Sequence, residues 1–175
     1  KLAGRALRPS TVDDEMGKRL FEMRNKHSIT REFIRMGALK LEIKDGAGET
    51  LYDLAEVFGI TKKVVHFDLT NSATDVIAKC EEVRDHIQTN LKGETMSAVE
   101  TVVSSRFFNR FVQHPKVEKY YLNWQAAASM VGFNRETRGN NWGRTFEFQE
   151  VLFREYKGVA PLKSGSAPFV TAGKG

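Results

Sequence analysis

Histidine is the residue type in this sequence best suited to binding a metal ion. The chain contains 4 histidines, His27, His66, His86 and His114. No two of them have the i, i+4 spacing that places two ligands on one helix face. The sequence also lacks an HExxH motif and an EF-hand loop. The pattern therefore favours structural or surface histidines over metal ligands.

Cys80 is the single cysteine of the sequence, so an intrachain disulfide or a cysteine-cluster metal site cannot form within it. It lies between Val76 and Val83 at helical spacing, where a thiol behaves as a small hydrophobic side chain. The acid pairs Asp13-Asp14 and Glu81-Glu82 are adjacent in sequence, and neighbouring helical side chains diverge too far to share a catalytic site. We expect a core cysteine, one acidic helix N-terminus and one solvated acidic face.

Common catalytic and cofactor-binding motifs are absent from the sequence. It has no glycine-rich phosphate loop with a lysine, no GxGxxG and no GxSxG. We therefore predict no catalytic residues, no cofactor-binding residues and no metal site, and a protein that is not an enzyme. An enzyme of unfamiliar type would need a concave site that gathers residues scattered in the sequence.

Nucleic-acid binding is the main alternative function. The net charge is +5 and the pI is about 9.4, although basic residues are spread among nearly as many acids. Residues 135–144 (RETRGNNWGR) interleave Arg, Asn and Trp as single-strand binders do, and Lys62-Lys63 adds charge. The alternative is therefore a basic nucleic-acid-binding module, and the competing interpretation of residues 134–144 is a flexible surface loop.

The aromatic residues Tyr120, Tyr121 and Trp124 could stack on bases, but they share a predicted helix face with Val117 and Val131. Core packing is the favoured interpretation of this face. With 41% hydrophobic and 28% charged residues over 175 positions, the composition is typical of a globular protein. No apolar run approaches a membrane span and no signal peptide is visible, so we expect an intracellular protein.

A long helix should open the ordered part of the chain. Ser10 and Thr11 are N-cap residue types, and acids follow in the first turn. An apolar stripe with steps of 4, 4, 3, 4, 3 and 4 residues predicts one helix of about 26 residues that ends near Gly37. The stripe consists of Val12, Met16, Leu20, Met23, His27, Thr30 and Ile34. A second contact surface is expected at Phe21, Ile29, Phe33 and Met36.

An α+β fold follows from the remaining patterns. Residues 39–60 alternate as a hairpin that turns at residues 45–48, residues 60–71 form a boundary with cap residues at 70–72, and a second helix ends at Gly93. A buried strand at 98–103, a helix capped by Ser104 and a helix that begins at Pro115 come next. The apolar phase flips at Glu150, which predicts two strands joined by a tight turn or bulge. Residues 158–175 are a Gly-, Ser- and Pro-rich tail with one apolar cluster, Phe169-Val170.

In order and spacing, four blocks of this sequence resemble the lambda-type phage major capsid protein E family. The blocks are 35–40 (RMGALK) with Asp45-Gly46 and 51–53 (LYD); 73–81 (ATDVIAKCE); Phe107-Phe108 with 114–117 (HPKV) and 121–124 (YLNW); and 146–148 (FEF) with 153–158 (FREYKG). The match covers most of residues 10–175, and its specificity comes from the ordered set of blocks.

The resemblance implies a Hong Kong 97-type capsid fold and a structural, self-assembling subunit of the icosahedral shell of a tailed phage or prophage. Residues 1–71 would be part of a peripheral domain, with a spine helix at 10–38 and a hairpin at 39–60. Residues 72–175 would be part of an axial domain, incomplete at its C-terminus. The implied partners are further copies in hexamers and pentamers, with non-specific contact to packaged DNA and no membrane. The implied location is the virion capsid, assembled in the host cytoplasm.

The sequence departs from the family pattern at two turns. Leu41 and Gln149-Glu150 occupy positions where relatives tend to have glycine, so these turns are expected to differ in detail. The sequence also starts at the spine helix, without an N-terminal arm and extended loop, and stops where relatives continue. The resemblance therefore predicts a fragment of a longer subunit.

Overall fold

The N-terminal helix is the longest element of the protein. The computed structural model describes residues 12–130, 142–162 and 165–171. Helix α1 (Val12–Leu39) runs unbroken for 28 residues, which confirms the predicted start and length. It continues past Gly37, the predicted end. Glycine is needed there because the next strand crosses so closely that a Cβ would lie 2.8 Å from the carbonyl oxygen of Glu42.

The predicted hairpin is present but shorter than expected. Strands β1 (Glu42–Lys44) and β2 (Thr50–Asp53) pair antiparallel, and the turn is held by the Asp45 carboxylate, which accepts from two backbone N–H groups. Residues 54–58 were predicted to belong to the hairpin, and instead form helix α2 (Leu54–Phe58). The cause is Asp53, whose side chain caps the helix by accepting from the N–H groups of Ala55 and Glu56.

Residues 60–75 contain no helix or strand. Helix α3 (Val76–Asn90) follows, and its N-cap is Asp75, which accepts from the N–H of Ala78. The prediction of a cap at residues 70–72 was wrong. Asn71 uses its side chain to stabilise a turn by accepting from the N–H of Ala73, so the helix starts later.

The central sheet has the strand order β3-β5-β4. Strand β3 (Val99–Val103) is parallel to β5 (Val151–Tyr156), and β4 (Trp142–Phe148) is antiparallel to β5. The turn between β4 and β5 confirms the predicted phase flip. Gln149 and Glu150 both have left-handed backbone conformations, with φ of 50° and 59°. The backbone there is of the kind that glycine favours, although neither residue is glycine.

Two helices cover one face of this sheet. Helix α4 (Ser105–Val112) is capped by Ser104, and helix α5 (Pro115–Met130) begins at the predicted proline. The main core lies between these helices, α3 and the sheet. Its fully buried side chains include Phe108, Phe111, Phe146, Val103, Val117, Val76 and Cys80.

The tail contains structure that the sequence did not predict. Strands β6 (Val159–Leu162) and β7 (Gly165–Pro168) form a second antiparallel hairpin. It ends in the predicted apolar cluster, where Phe169 and Val170 are buried against Met36 of α1. The Lys40 ammonium also donates to the carbonyl oxygen of Phe169. The mixed helices and sheets confirm the α+β class.

Candidate functional site

The strongest concentration of buried charge is an ion pair between Arg144 on β4 and Glu155 on β5. The Arg144 Nε lies 3.1 Å from Glu155 Oε2, and the Arg144 backbone N–H donates to the same oxygen over 3.0 Å. The guanidinium also lies 4.7 Å from the centre of the Phe108 ring and donates to Asn109. Glu155 is 1% exposed. The pair therefore joins β4, β5 and α4.

The protonation state of Glu155 determines whether the pair could act in acid–base catalysis. Burial by itself raises the pKa of the carboxyl group, but hydrogen bonds from the Arg144 side chain and backbone and from Ser105 outweigh it and lower the pKa to about 2. The carboxylate stays charged at neutral pH, so it has no proton to give as a general acid. The geometry is that of a structural ion pair, which the sequence interpretation missed. The sequence did contain a signal for a buried Glu155, because it follows Val151 and Phe153 at two-residue spacing and so lies on the same face of the strand.

The histidines do not form a metal site. His114 is buried, and its Nε2 lies 3.1 Å from the carbonyl oxygen of Asn71 while its Nδ1 accepts from the N–H of Lys116. This residue is a satisfied structural histidine, as predicted. Among the described residues, no group of three or more His, Cys, Asp or Glu side chains is arranged to hold a metal ion.

Cys80 is fully buried in the main core, which confirms the sequence interpretation. Burial, with a smaller contribution from Glu81, raises the pKa of the thiol to about 12. A thiol with so high a pKa has almost no thiolate at neutral pH, so Cys80 is unsuited to nucleophilic chemistry.

Glu82 lies between two lysines rather than beside a catalytic partner. It pairs with Lys79 at 3.0 Å and with Lys63 at 3.1 Å, and hydrogen bonds from these two ammonium groups lower the pKa of its carboxyl. Asp13 and Asp14 occupy the first turn of α1, as predicted. Lys63 therefore shares one carboxylate with Lys79, and the three side chains together keep a charge of +1.

The proposed nucleic-acid loop is only partly within the described residues. Residues 131–141 lie outside them, so the interpretation of this stretch as a loop or a stacking surface stays a prediction. Its last three residues belong to strand β4 instead, which corrects the predicted loop boundary at residue 144. The Arg144 guanidinium is held by Glu155 and Asn109, so it is not free to stack on a base.

The aromatic face of α5 divides into a packed and an exposed part. Tyr121 and Trp124 meet Phe146 edge to face, with ring centroids 5.1 and 5.8 Å apart, which confirms core packing for both. Tyr120 is 52% exposed and contacts Phe148 by one edge, so the prediction of a core position was wrong for this residue. Tyr120 lies at the edge of the packed face, because it is about 100° around the helix axis from Tyr121.

A small apolar pocket lies between residues 63–67, α3 and the sheet. Its volume is about 280 Å³. Hydrophobic side chains line most of it, and Lys63, His86 and Thr101 supply its polar groups; the hydrophobic ones include Val65, Phe67, Val83, Ile87, Val103 and Phe153. The residues that line this pocket do not include an activated nucleophile beside a base, so the pocket does not resemble an active site.

Exposed apolar side chains are the most prominent feature of the described surface. They are concentrated on α1 and on the segment from β2 to residue 64. The second contact surface predicted on α1 is divided: Met36 is buried and Phe33 is half-buried against Phe169, whereas Phe21 and Ile29 remain exposed. No helix among the described residues is long and apolar enough to span a membrane.

Comparison with known proteins assigns the chain to a family. The family model described as phage major capsid protein E matches residues 2–175. The chain belongs to this family. This confirms the predicted resemblance and places the chain among structural phage capsid proteins.

Two curated relatives are named major capsid protein. The chain is 34% identical over 157 residues to that of Salmonella phage Felix O1 (isolate Felix O1-VT1), covering 85% of this chain and 43% of the relative. It is 30% identical over 155 residues to that of Pseudomonas phage KPP10, covering 85% of this chain and 44% of the relative. The chain thus spans less than half the length of these relatives. Comparison with solved structures gave no match.

Proposed function

We propose that this chain is part of the major capsid subunit of a tailed phage or prophage and acts by association with further copies of the subunit. The family match over residues 2–175 is the observation that carries the proposal. A shell subunit acts by association with its copies, which agrees with a core whose buried acid and histidine are hydrogen-bonded within the chain and whose thiol is buried.

The proposed fold is of the Hong Kong 97 type. Its support is the order of elements: the 28-residue helix α1, the β1–β2 hairpin, and then the mixed region around the β3-β5-β4 sheet. Residues 1–71 would be the peripheral part and residues 72–175 the axial part. The subunits of the full-length protein would form hexamers and pentamers, and basic residues on an inward surface would contact packaged DNA without sequence specificity.

A particle-level experiment tests this function. Prophage particles are induced from the source strain and purified, and their head proteins are quantified by mass spectrometry. We expect peptides from residues 12–162 in the most abundant head protein, at the high copy number of a shell subunit. Their absence from purified heads would overturn the proposal.

The alternative nucleic-acid-binding function has a separate test. A salt titration of DNA binding would give a steep log–log slope and sub-micromolar affinity at physiological salt for a dedicated binder. We expect a Kd above about 1 μM at physiological salt, because the Lys63 ammonium and the Arg144 guanidinium are each paired with a carboxylate.

A further inference from the structure

The apolar pocket beside α3 is enclosed by residues of this chain. Its most buried lining residues, Cys80 and Val103, are both 0% exposed. On the opposite side it is covered by an extended segment, residues 61–67, which we call the strap. Val65 and Phe67 of the strap are half-buried and line the pocket. Both the floor and the cover of the pocket therefore lie within the described part of the chain.

The strap is anchored by its side chains. Among the described residues, its backbone N–H and C=O groups make no hydrogen bond to another part of the protein. The Phe67 ring packs edge to face on Phe107, with centroids 5.5 Å apart, and the Lys63 ammonium lies 3.1 Å from the Glu82 carboxylate. A segment without backbone hydrogen bonds opens locally at low cost, so the strap gives a ligand a route into the pocket.

The polar groups of the pocket favour an anionic ligand. Its described lining includes Lys63 and His86 but no acidic residue. Lys63 shares the Glu82 carboxylate with Lys79, so these three side chains keep a positive charge. The Thr101 hydroxyl also lines the pocket and makes no hydrogen bond within the described residues, so it is available to donate to a carboxylate.

The volume of the pocket sets the size of the ligand. An apolar cavity of about 150 Å³ admits benzene, which has six carbon atoms. The pocket, at about 280 Å³, is about twice as large and accommodates an alkyl chain of about eight to ten carbon atoms. Burial of each methylene group among the aliphatic and aromatic side chains stabilises such a complex.

We propose that this pocket binds a medium-chain fatty acid, with the alkyl chain beneath the strap and the carboxylate beside Lys63. A concave apolar site with a few polar groups that fix the orientation is the usual form of a small-molecule site. The inference goes beyond the shell-subunit function and does not depend on it.

A chain-length series tests the pocket. Isothermal titration calorimetry of the 175-residue chain with carboxylates from butanoate to dodecanoate, below their micelle concentrations, should give affinities that rise about three- to fourfold per methylene group. The rise should stop near decanoate, where the pocket is full. A flat series, or a rise that continues unchanged to dodecanoate, would overturn the proposal, because the first means no apolar burial and the second means binding on an open surface.

A pocket-filling variant locates the site. Val83→Phe places a larger side chain in the pocket and should weaken octanoate binding at least about tenfold. Val64→Phe is the matched control: it makes the same substitution at a strap residue that is 64% exposed, and should leave the affinity unchanged. Urea denaturation checks that both variants are folded. Unchanged octanoate binding in folded Val83→Phe would reject the pocket.

A second pair of variants tests the position of the carboxylate and does not disturb the core. Lys63→Met should weaken octanoate binding about three- to fivefold, because an exposed charge contact is lost, and should leave 1-octanol binding unchanged. Lys62→Met, at the neighbouring residue outside the lining, should alter neither. Equal effects of Lys63→Met on octanoate and 1-octanol would contradict the proposed orientation. None of these outcomes bears on the head-protein assignment, which the particle experiment decides separately.

Discussion

Arg144 and Glu155 face each other across neighbouring strands and join three elements of the main core. The carboxylate accepts from the backbone N–H of Arg144 and from its Nε and Nη2, at 3.0, 3.1 and 3.4 Å. Gly143 makes this geometry possible, because a Cβ at that position would overlap the Glu155 carboxylate. The pair fixes the start of β4 against β5 and α4.

Removing one partner of this pair should destabilise the protein. Arg144→Met leaves a carboxylate that is 1% exposed with only the exposed Lys157 ammonium, 3.7 Å away, as a cation, and we expect a loss of about 3 kcal/mol in the free energy of unfolding. Glu155→Gln should cost less, about 1–3 kcal/mol, because the Arg144 side chain is 35% exposed and can be hydrated. Urea denaturation measures both.

Glu100→Gln provides the matched control for those variants. It removes the exposed ion pair between Glu100 and Arg154 on the same sheet. An exposed pair contributes less than about 1 kcal/mol, so this variant should remain close to the parent protein. Equal losses in Arg144→Met and Glu100→Gln would contradict the special role of the buried pair.

The same pair should make stability depend on pH in the acid range. The pKa of Glu155 is lowered from 4.5 to about 2 in the folded state, so its contribution is fully present above pH 4.5 and is lost as the pH falls toward 2. In Glu155→Gln this contribution is absent. The difference in unfolding free energy between the parent and Glu155→Gln should therefore narrow from pH 5 to pH 2; a constant difference would show that Glu155 does not titrate as described.

The sequence predicted the helices well because their apolar spacing reflects local geometry. The start of α1 near Thr11 and the start of α5 at Pro115 were both correct within one residue. Boundaries set by one capping side chain were missed, as at Asp53 and Asp75, since several nearby polar residues offered equally good caps. The β6–β7 hairpin was missed because residues 159–168 (VAPLKSGSAP) contain two prolines and a glycine, which are uncommon in strands.

The sequence did not show which apolar face of α1 packs against the rest of the chain. The spacing of the α1 stripe identified which residues share a face, but a helical period does not tell which of two apolar faces the same chain covers. The structure shows that Phe33 and Met36 pack in one cluster with Phe169, more than 130 residues later. Such a long-range contact leaves no periodic signal in the sequence.

Alanine substitution should have opposite effects on stability at two glycines of α1. Gly17 is in open space, so Gly17→Ala should raise the free energy of unfolding by about 0.5–1 kcal/mol through helix propensity. At Gly37 the added Cβ would meet the Glu42 carbonyl oxygen at 2.8 Å, and Gly37→Ala should lower the free energy by about 1–3 kcal/mol. Thermal and urea denaturation should give the two signs; stabilisation by both would mean that β1 does not pack against Gly37.

The turn between β4 and β5 offers the last prediction, because its backbone is left-handed at residues where the chain lacks glycine. Gln149 has φ of 50° and Glu150 has φ of 59°, the combination of a type I′ hairpin turn. Asparagine tolerates this conformation better than glutamine, so Gln149→Asn should stabilise the protein by about 0.5 kcal/mol. Gln149→Val should destabilise it by more than about 1 kcal/mol, since a β-branched residue is strained at positive φ. Both variants leave the exposed Glu150 carboxylate paired with Arg84 at 2.6 Å, so the comparison isolates the backbone effect. If urea denaturation ranks valine at or above glutamine, the turn does not adopt the left-handed conformation.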